Sequence, residues 1–159
     1  MPDTLVTIDL PEQLVASVVV ETDLATIGRD IGDGFGAIMA AIREAGGHPA
    51  GPPLVVYHDV IREETRGRVE MCVPVAEGFA GAGDVSARRL PAGPAVSTVH
   101  RGRYADVGPA YEALTTWMAG HDVEPAGPPR EVYLNDPHEV GETEALTQVV
   151  WPIDRKPEA

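Results

Sequence analysis

Glu131 is the residue whose setting asks for chemistry. It stands in the segment Arg130-Glu131-Val132-Tyr133, directly after a Gly-Pro-Pro turn. An extended run there alternates its side chains, putting Glu131 and Tyr133 on one face and Val132 on the other. If that face looks into a groove, an ionised carboxylate is costly to desolvate without a partner, and a cationic ligand supplies one. Tyr104, Tyr111, Trp117 and Tyr133 lie in the same half of the chain. Aromatic faces each stabilise a bound cation by roughly 0.5–2 kcal/mol and also stack on flat molecules. Phe35, Met39, Tyr57 and Met71 are the first-half candidates for the same lining, methionine being suited to an adaptable wall. The carboxylate has a second possible use, as a base that orients or deprotonates water while Tyr133 or Tyr104 donates a proton or polarises a substrate.

Other chemistries find little support. The histidines at 48, 58, 100, 121 and 138 show neither i, i+4 pairing nor a flanking carboxylate pattern, so no metal and no cofactor is expected. Gly32-Asp33-Gly34-Phe35-Gly36 lacks the lysine and the following helix start of a phosphate loop. Cys72, the only cysteine, sits in an apolar strand-like run without an activating neighbour, and no Ser-His-Asp arrangement follows from spacing. The acidic run Glu139 to Glu144 suits a solvated hairpin loop.

The elements that must position Glu131 come from an internal duplication. Residues 30–59 lie over 106–135 without a gap, with Pro49 to Pro53 matching Pro125 to Pro129 and Val56-Tyr57 matching Val132-Tyr133. Leu10-Pro11 then pairs with Leu90-Pro91, and Val73-Pro74 with Trp151-Pro152, once loops vary in length. In this alignment Glu131 replaces Val55, so the fold itself asks for an apolar residue there. β-branched runs predict strands over 14–20 and 95–100. Helical spacing follows near 27–45 and 105–119, stopped by the Gly-Pro-Pro blocks, and strands resume over 54–58, 130–134, 67–74 and 145–152. The reading is an α+β protein of duplicated β-α-β-β units, forming an antiparallel sheet with two helices on one face. A ligand groove is expected on the pseudo-two-fold axis. One domain over 1–159 is expected, with repeats over about 5–78 and about 84–154.

The strings LPAGPAVSTVHRGRYADVGPAYEAL and AGPPREVYLNDP, followed by a strand ending in Trp151-Pro152-Ile153, resemble the GyrI-like family, the effector-binding domains of AraC-type and bacterial-activator regulators. His100-Arg101-Gly102 with Tyr104, and Arg130 to Tyr133, are the most specific parts. The first half fits more loosely, lacking the His-Arg-Gly equivalent at Val20-Glu21-Thr22. The resemblance implies a small-molecule groove in which Glu131 sits. It also implies three kinds of activity: sequestering or sensing an amphipathic or cationic drug-like molecule, hydrolysing cyclopropane-containing natural products, or protecting a protein partner such as gyrase.

Charge narrows the partners. Twelve basic against twenty-five acidic residues give −13, which disfavours nucleic acid and anionic membranes in the absence of a basic patch. A lone cysteine and an N-terminus without an apolar signal core suggest the cytoplasm. A free-standing binder with no DNA-reading segment of its own is the leading expectation.

Overall fold

The computed structural model describes residues 4–157. In chain order its strands are β1 (Val6–Leu10), β2 (Gln13–Thr22), β3 (Leu54–Tyr57), β4 (Gly67–Pro74), β5 (Ser86–Leu90), β6 (Gly93–Arg101), β7 (Arg130–Tyr133) and β8 (Leu146–Pro152). Helix α1 (Ile27–Glu44) follows β2, and α2 (Gly108–Gly120) follows β6. Both repeats therefore hold the expected strand, helix and strand pair, and each adds a leading strand, β1 or β5, that patterning did not reveal. Ser86-Ala-Arg-Arg-Leu90 is exposed except at Leu90, so it carries no apolar alternation from which a strand could be read.

The described residues divide into two units, one of 12–90 and the other of 4–11 with 91–157. In the first, strands lie in the order β3-β4-β2-β5 and α1 packs on β2 and β4. In the second the order is β1-β6-β8-β7, with α2 on β6 and β8. Within each unit every pairing is antiparallel. Each leading strand thus completes the unit built by the other repeat: β1 pairs with β6, and β5 with β2.

Helix ends are set by local chemistry. Asp23 starts α1, its carboxylate accepting the Thr26 N–H at 3.0 Å and its carbonyl the Ile27 N–H at 2.8 Å. Gly46, at φ +75°, ends it, and the Gly47 N–H reaches back to the Ile42 carbonyl at 3.0 Å. At the end of α2 the same turn recurs: Asp122 takes φ +53° and the Val123 N–H meets the Met118 carbonyl at 3.1 Å. Gly32, Gly34 and Gly36 are helical, and Gly34 lets β4 approach, since a Cβ there would lie 2.1 Å from Met71 Cε. The Pro-Ala-Gly-Pro-Pro blocks are tethered alike, Ala50 N–H to the Pro74 carbonyl and Ala126 N–H to that of Pro152, each at 2.8 Å.

Ile38, Ile42, Val15, Val55, Val69 and Met71 fill the core of the first unit. Val96, Ala110, Leu114, Met118, Val123, Val149 and Ile153 fill that of the second. The acidic connection before β8 is exposed as expected, but it is a helical turn (Pro137–Val140) capped by Asp136, then a 3-10 turn over Glu142–Glu144, rather than plain loop. Among the described residues no helix is long and apolar enough to cross a membrane.

Candidate functional site

β7 is short because Pro128-Pro129 forces the chain to enter it extended and β8 pairs with only four of its residues. Glu131 lies opposite Val149, a core residue beneath α2, so its side chain takes the helix-facing side of the sheet, as alternation predicts. It is 6% exposed. The Tyr111 hydroxyl, from α2, donates to Glu131 Oε2 at 2.6 Å, and that of Tyr133 to Oε1 at 3.4 Å. The first contact is short, as expected for a hydroxyl meeting a charged acceptor; the second is long and weak.

Rings surround this pair. Tyr104 tilts against Tyr133 with centroids 5.1 Å apart, and Trp151 meets Tyr111 edge to face at 6.0 Å. Trp151 is pinned by its indole N–H, which donates to the Gly127 carbonyl of the Gly-Pro-Pro turn at 3.1 Å. Burial raises the Tyr104 hydroxyl above its ordinary range, and the charges of Asp136 and Glu131 add to this. A surface cavity of about 360 Å³ opens beside Tyr104, between Arg103, Pro137, His138, Glu142 and Ala145.

Each of the other sequence candidates lies within its own unit. Trp117 stacks on His121 at 4.1 Å and packs against the core of its unit. Phe35 and Met39 lie half-buried on α1 and Tyr57 half-buried on β3, while Met71 is fully buried against Gly34; all four belong to the first unit. Trp151 went unremarked as a site residue because it ends a strand of otherwise core-like residues.

Register makes the comparison of repeats finer. Tyr133 faces Thr147 and Tyr57 faces Val69; His100 faces Thr147 and Val20 faces Val69. The second repeat thus carries Glu131, Thr147, His100 and Tyr111 where the first carries Val55, Val69, Val20 and Phe35. Polar groups have been written onto one apolar face of one copy.

A second buried carboxylate was missed altogether. Glu70, on β4 and 1% exposed, accepts from Ser17 Oγ at 2.7 Å and Arg88 Nε at 2.7 Å, and lies 2.8 Å from His58 Nε2. Burial by itself would raise its carboxyl; the hydrogen bonds from Ser17, Arg88 and His58 outweigh that and hold it below the ordinary range. Its counterpart in the second unit is Gln148, whose amide donates to Ser97 Oγ at 3.0 Å, with Ile8 and Leu134 in the places of Arg88 and His58. The participants at 17, 58, 70 and 88 are too far apart in sequence for spacing to join them, and the one available signal was Glu70 against Gln148 in the aligned repeats. Among the described residues no group of three or more His, Cys, Asp or Glu is arranged to hold a metal ion.

The scaffold is a duplicated α+β fold that carries a buried acid beside tyrosines. The chain belongs to the GyrI-like family, whose small-molecule-binding domain matches residues 6–154. Among solved structures it is similar to the C-terminal domain of EcmrR (22% identity, 96% of this chain and 98% of that chain, TM-score 0.81). It also matches EcmrR in its complex with DNA (23% identity, TM-score 0.83), covering 96% of this chain but spanning only 58% of that one. A hydrolase from Listeria innocua matches at 12% identity (96% and 93% covered, TM-score 0.73). SAV2435 bound to tetraphenylphosphonium matches at 9% identity (95% and 94% covered, TM-score 0.60). At these identities the likenesses show the shared fold. No curated protein sequence matches the chain.

Proposed function

We propose that this chain binds an amphipathic, cationic small molecule at Glu131 and acts by sequestering or sensing it. The observation that carries the reading is the buried Glu131 carboxylate, held by tyrosine hydroxyls and walled by Tyr104, Tyr111, Tyr133 and Trp151. Carboxylate charge and ring faces both favour a cation, and water is largely excluded, which strengthens the attraction. A net charge of −13 draws cations toward the protein. The lipophilic cation bound by SAV2435, a protein of the same fold, fits this chemistry. Titration with an aromatic cation should quench Trp151 emission saturably, in a way that disappears in Trp151→Phe, and return the compound unchanged. Absence of saturable binding by any aromatic cation would remove the reading.

A second reading rests on the 2.6 Å contact between Tyr111 and Glu131, which joins a base to a proton donor. In a hydrolase of strained cyclopropanes, Glu131 would take a proton from water as the water oxygen bonds to a ring carbon. The opposed carbon–carbon bond would break, and its electron pair would be protonated from Tyr111. Tyr111 joins Tyr133 and Tyr104 as a donor for this proton through its contact with Glu131. Mass spectrometry of a spirocyclopropane electrophile after incubation separates the readings: multiple turnovers to the water adduct, lost in Glu131→Gln, establish hydrolysis, and recovery of intact compound excludes it.

A further inference from the structure

The hydroxyl of Thr147 is buried and has no hydrogen-bond partner among the described residues. Buried polar groups are nearly always satisfied, so this exception calls for an explanation. The duplicated fold does not require it, because the equivalent residue, Val69, is fully buried with no hydroxyl at all. Alternation places Thr147 on the same side of β8 as Val149, which is opposite Glu131, and of Ala145, which is extended and lines the cavity beside Tyr104. Along the chain, Thr147 therefore falls between Ala145 of the cavity wall and Val149 opposite the buried acid. Tyr104 joins the two, lining the cavity while its ring packs on Tyr133. His100 Nε2 is 2.9 Å from the Arg103 carbonyl, which fixes the Arg103 backbone at the rim.

We propose that Thr147 and the cavity beside Tyr104 form an outer subsite that receives a hydroxyl or carbonyl group carried by the ligand. The inference rests on the cation reading of Glu131 for the rest of that ligand. Thr147 is a diagonal cross-strand neighbour of Glu131, and such neighbours are about 7 Å apart, which sets the spacing between charge and polar group. The ligand class is thus narrower than lipophilic cations in general: an aromatic cation bearing a hydrogen-bonding group on a short flexible arm. The arm passes Tyr104, with Arg103, His138 and Glu142 available to its outer end.

The test uses two probes, benzyl(dimethyl)(hydroxybutyl)ammonium and its pentyl counterpart, which differ by a hydroxyl against a methyl. Calorimetry on the full chain should show the hydroxylated probe favoured. Thr147→Val should weaken it about fivefold to tenfold, the range of one hydrogen bond, and leave the pentyl probe within about twofold. Thr147→Ser should retain the preference. Because valine already occupies this position in the first repeat, Thr147→Val should fold with an undiminished melting temperature. An equal effect on both probes, or on neither, overturns the subsite and leaves Thr147 to a structural water. Glu131→Gln separates this from the cation reading. If it weakens both probes, the cation reading stands whatever Thr147 shows. If it weakens neither while Thr147→Val still discriminates, the cation reading fails and the polar subsite remains. Failure of both probes to bind overturns both.

Discussion

Arg88→Ile tests whether the Glu70 cluster is a linked unit and whether the second repeat holds its neutral equivalent. The variant leaves Glu70, 1% exposed, with hydrogen bonds to the Ser17 and His58 side chains. Losing one partner of a fully buried pair costs about 3–5 kcal/mol. Arg88 is 42% exposed, however, so solvent already screens its charge, and the expected loss is about 1–2 kcal/mol. The triple variant Glu70→Gln, Arg88→Ile, His58→Leu copies the arrangement around Gln148, where the amide meets Ser97 at 3.0 Å and the flanking positions are Ile8 and Leu134. An amide leaves no buried charge behind, so the triple should return to within about 1 kcal/mol of the wild type. Urea unfolding followed by circular dichroism gives both numbers, with equal slopes required for the comparison. A costless Arg88→Ile, or a triple variant less stable than the single one, would show that the Glu70 cluster is not a linked unit.

Other outcomes follow from the same geometry. Asp122 occupies a left-handed turn that the first repeat fills with Gly46, so Asp122→Gly should raise stability by about 0.5–1 kcal/mol, read from the urea midpoint, and Gly46→Asp should lower it. The Glu70 carboxyl is held below the ordinary glutamate value of 4.5, so its contribution is complete above that pH and is lost as pH falls through the folded-state value. Glu70→Gln should therefore flatten the loss of stability as pH falls below about 4.5, while the lowered carboxyls of Asp23, Asp30 and Asp59 keep part of the slope, as urea midpoints across that fall will show.

The elements legible in the sequence were those whose side chains repeat with a buried face. The isoleucines of α1 and the β-branched runs of β2 and β6 are of this kind, and the Pro-Ala-Gly-Pro-Pro blocks fixed the duplication. β1 and β5 escaped because edge strands expose most of their residues: Arg88 and Arg89 reach carboxylates on other segments and leave no apolar period to read. Glu131 was visible as a carboxylate at a valine position, but its partner Tyr111 comes from a helix twenty residues away, and only packing brings the two together. Thr147 and Glu70 looked unremarkable within apolar strands. Their significance comes from burial and from what their duplicates carry, Val69 and Gln148, and that comparison needs the register of the folded sheets.

Recognition of positive charge by Glu131 is read by calorimetry of wild type and Glu131→Gln with tetraphenylphosphonium and with a neutral aromatic of similar size. The substitution keeps the side-chain shape and a hydrogen-bonding oxygen for Tyr111 while removing the charge. Binding of the cation should weaken by about 1–3 kcal/mol, the loss of one charged partner, and binding of the neutral compound should change much less. Equal losses for the two compounds, or no loss for the cation, would contradict the claim.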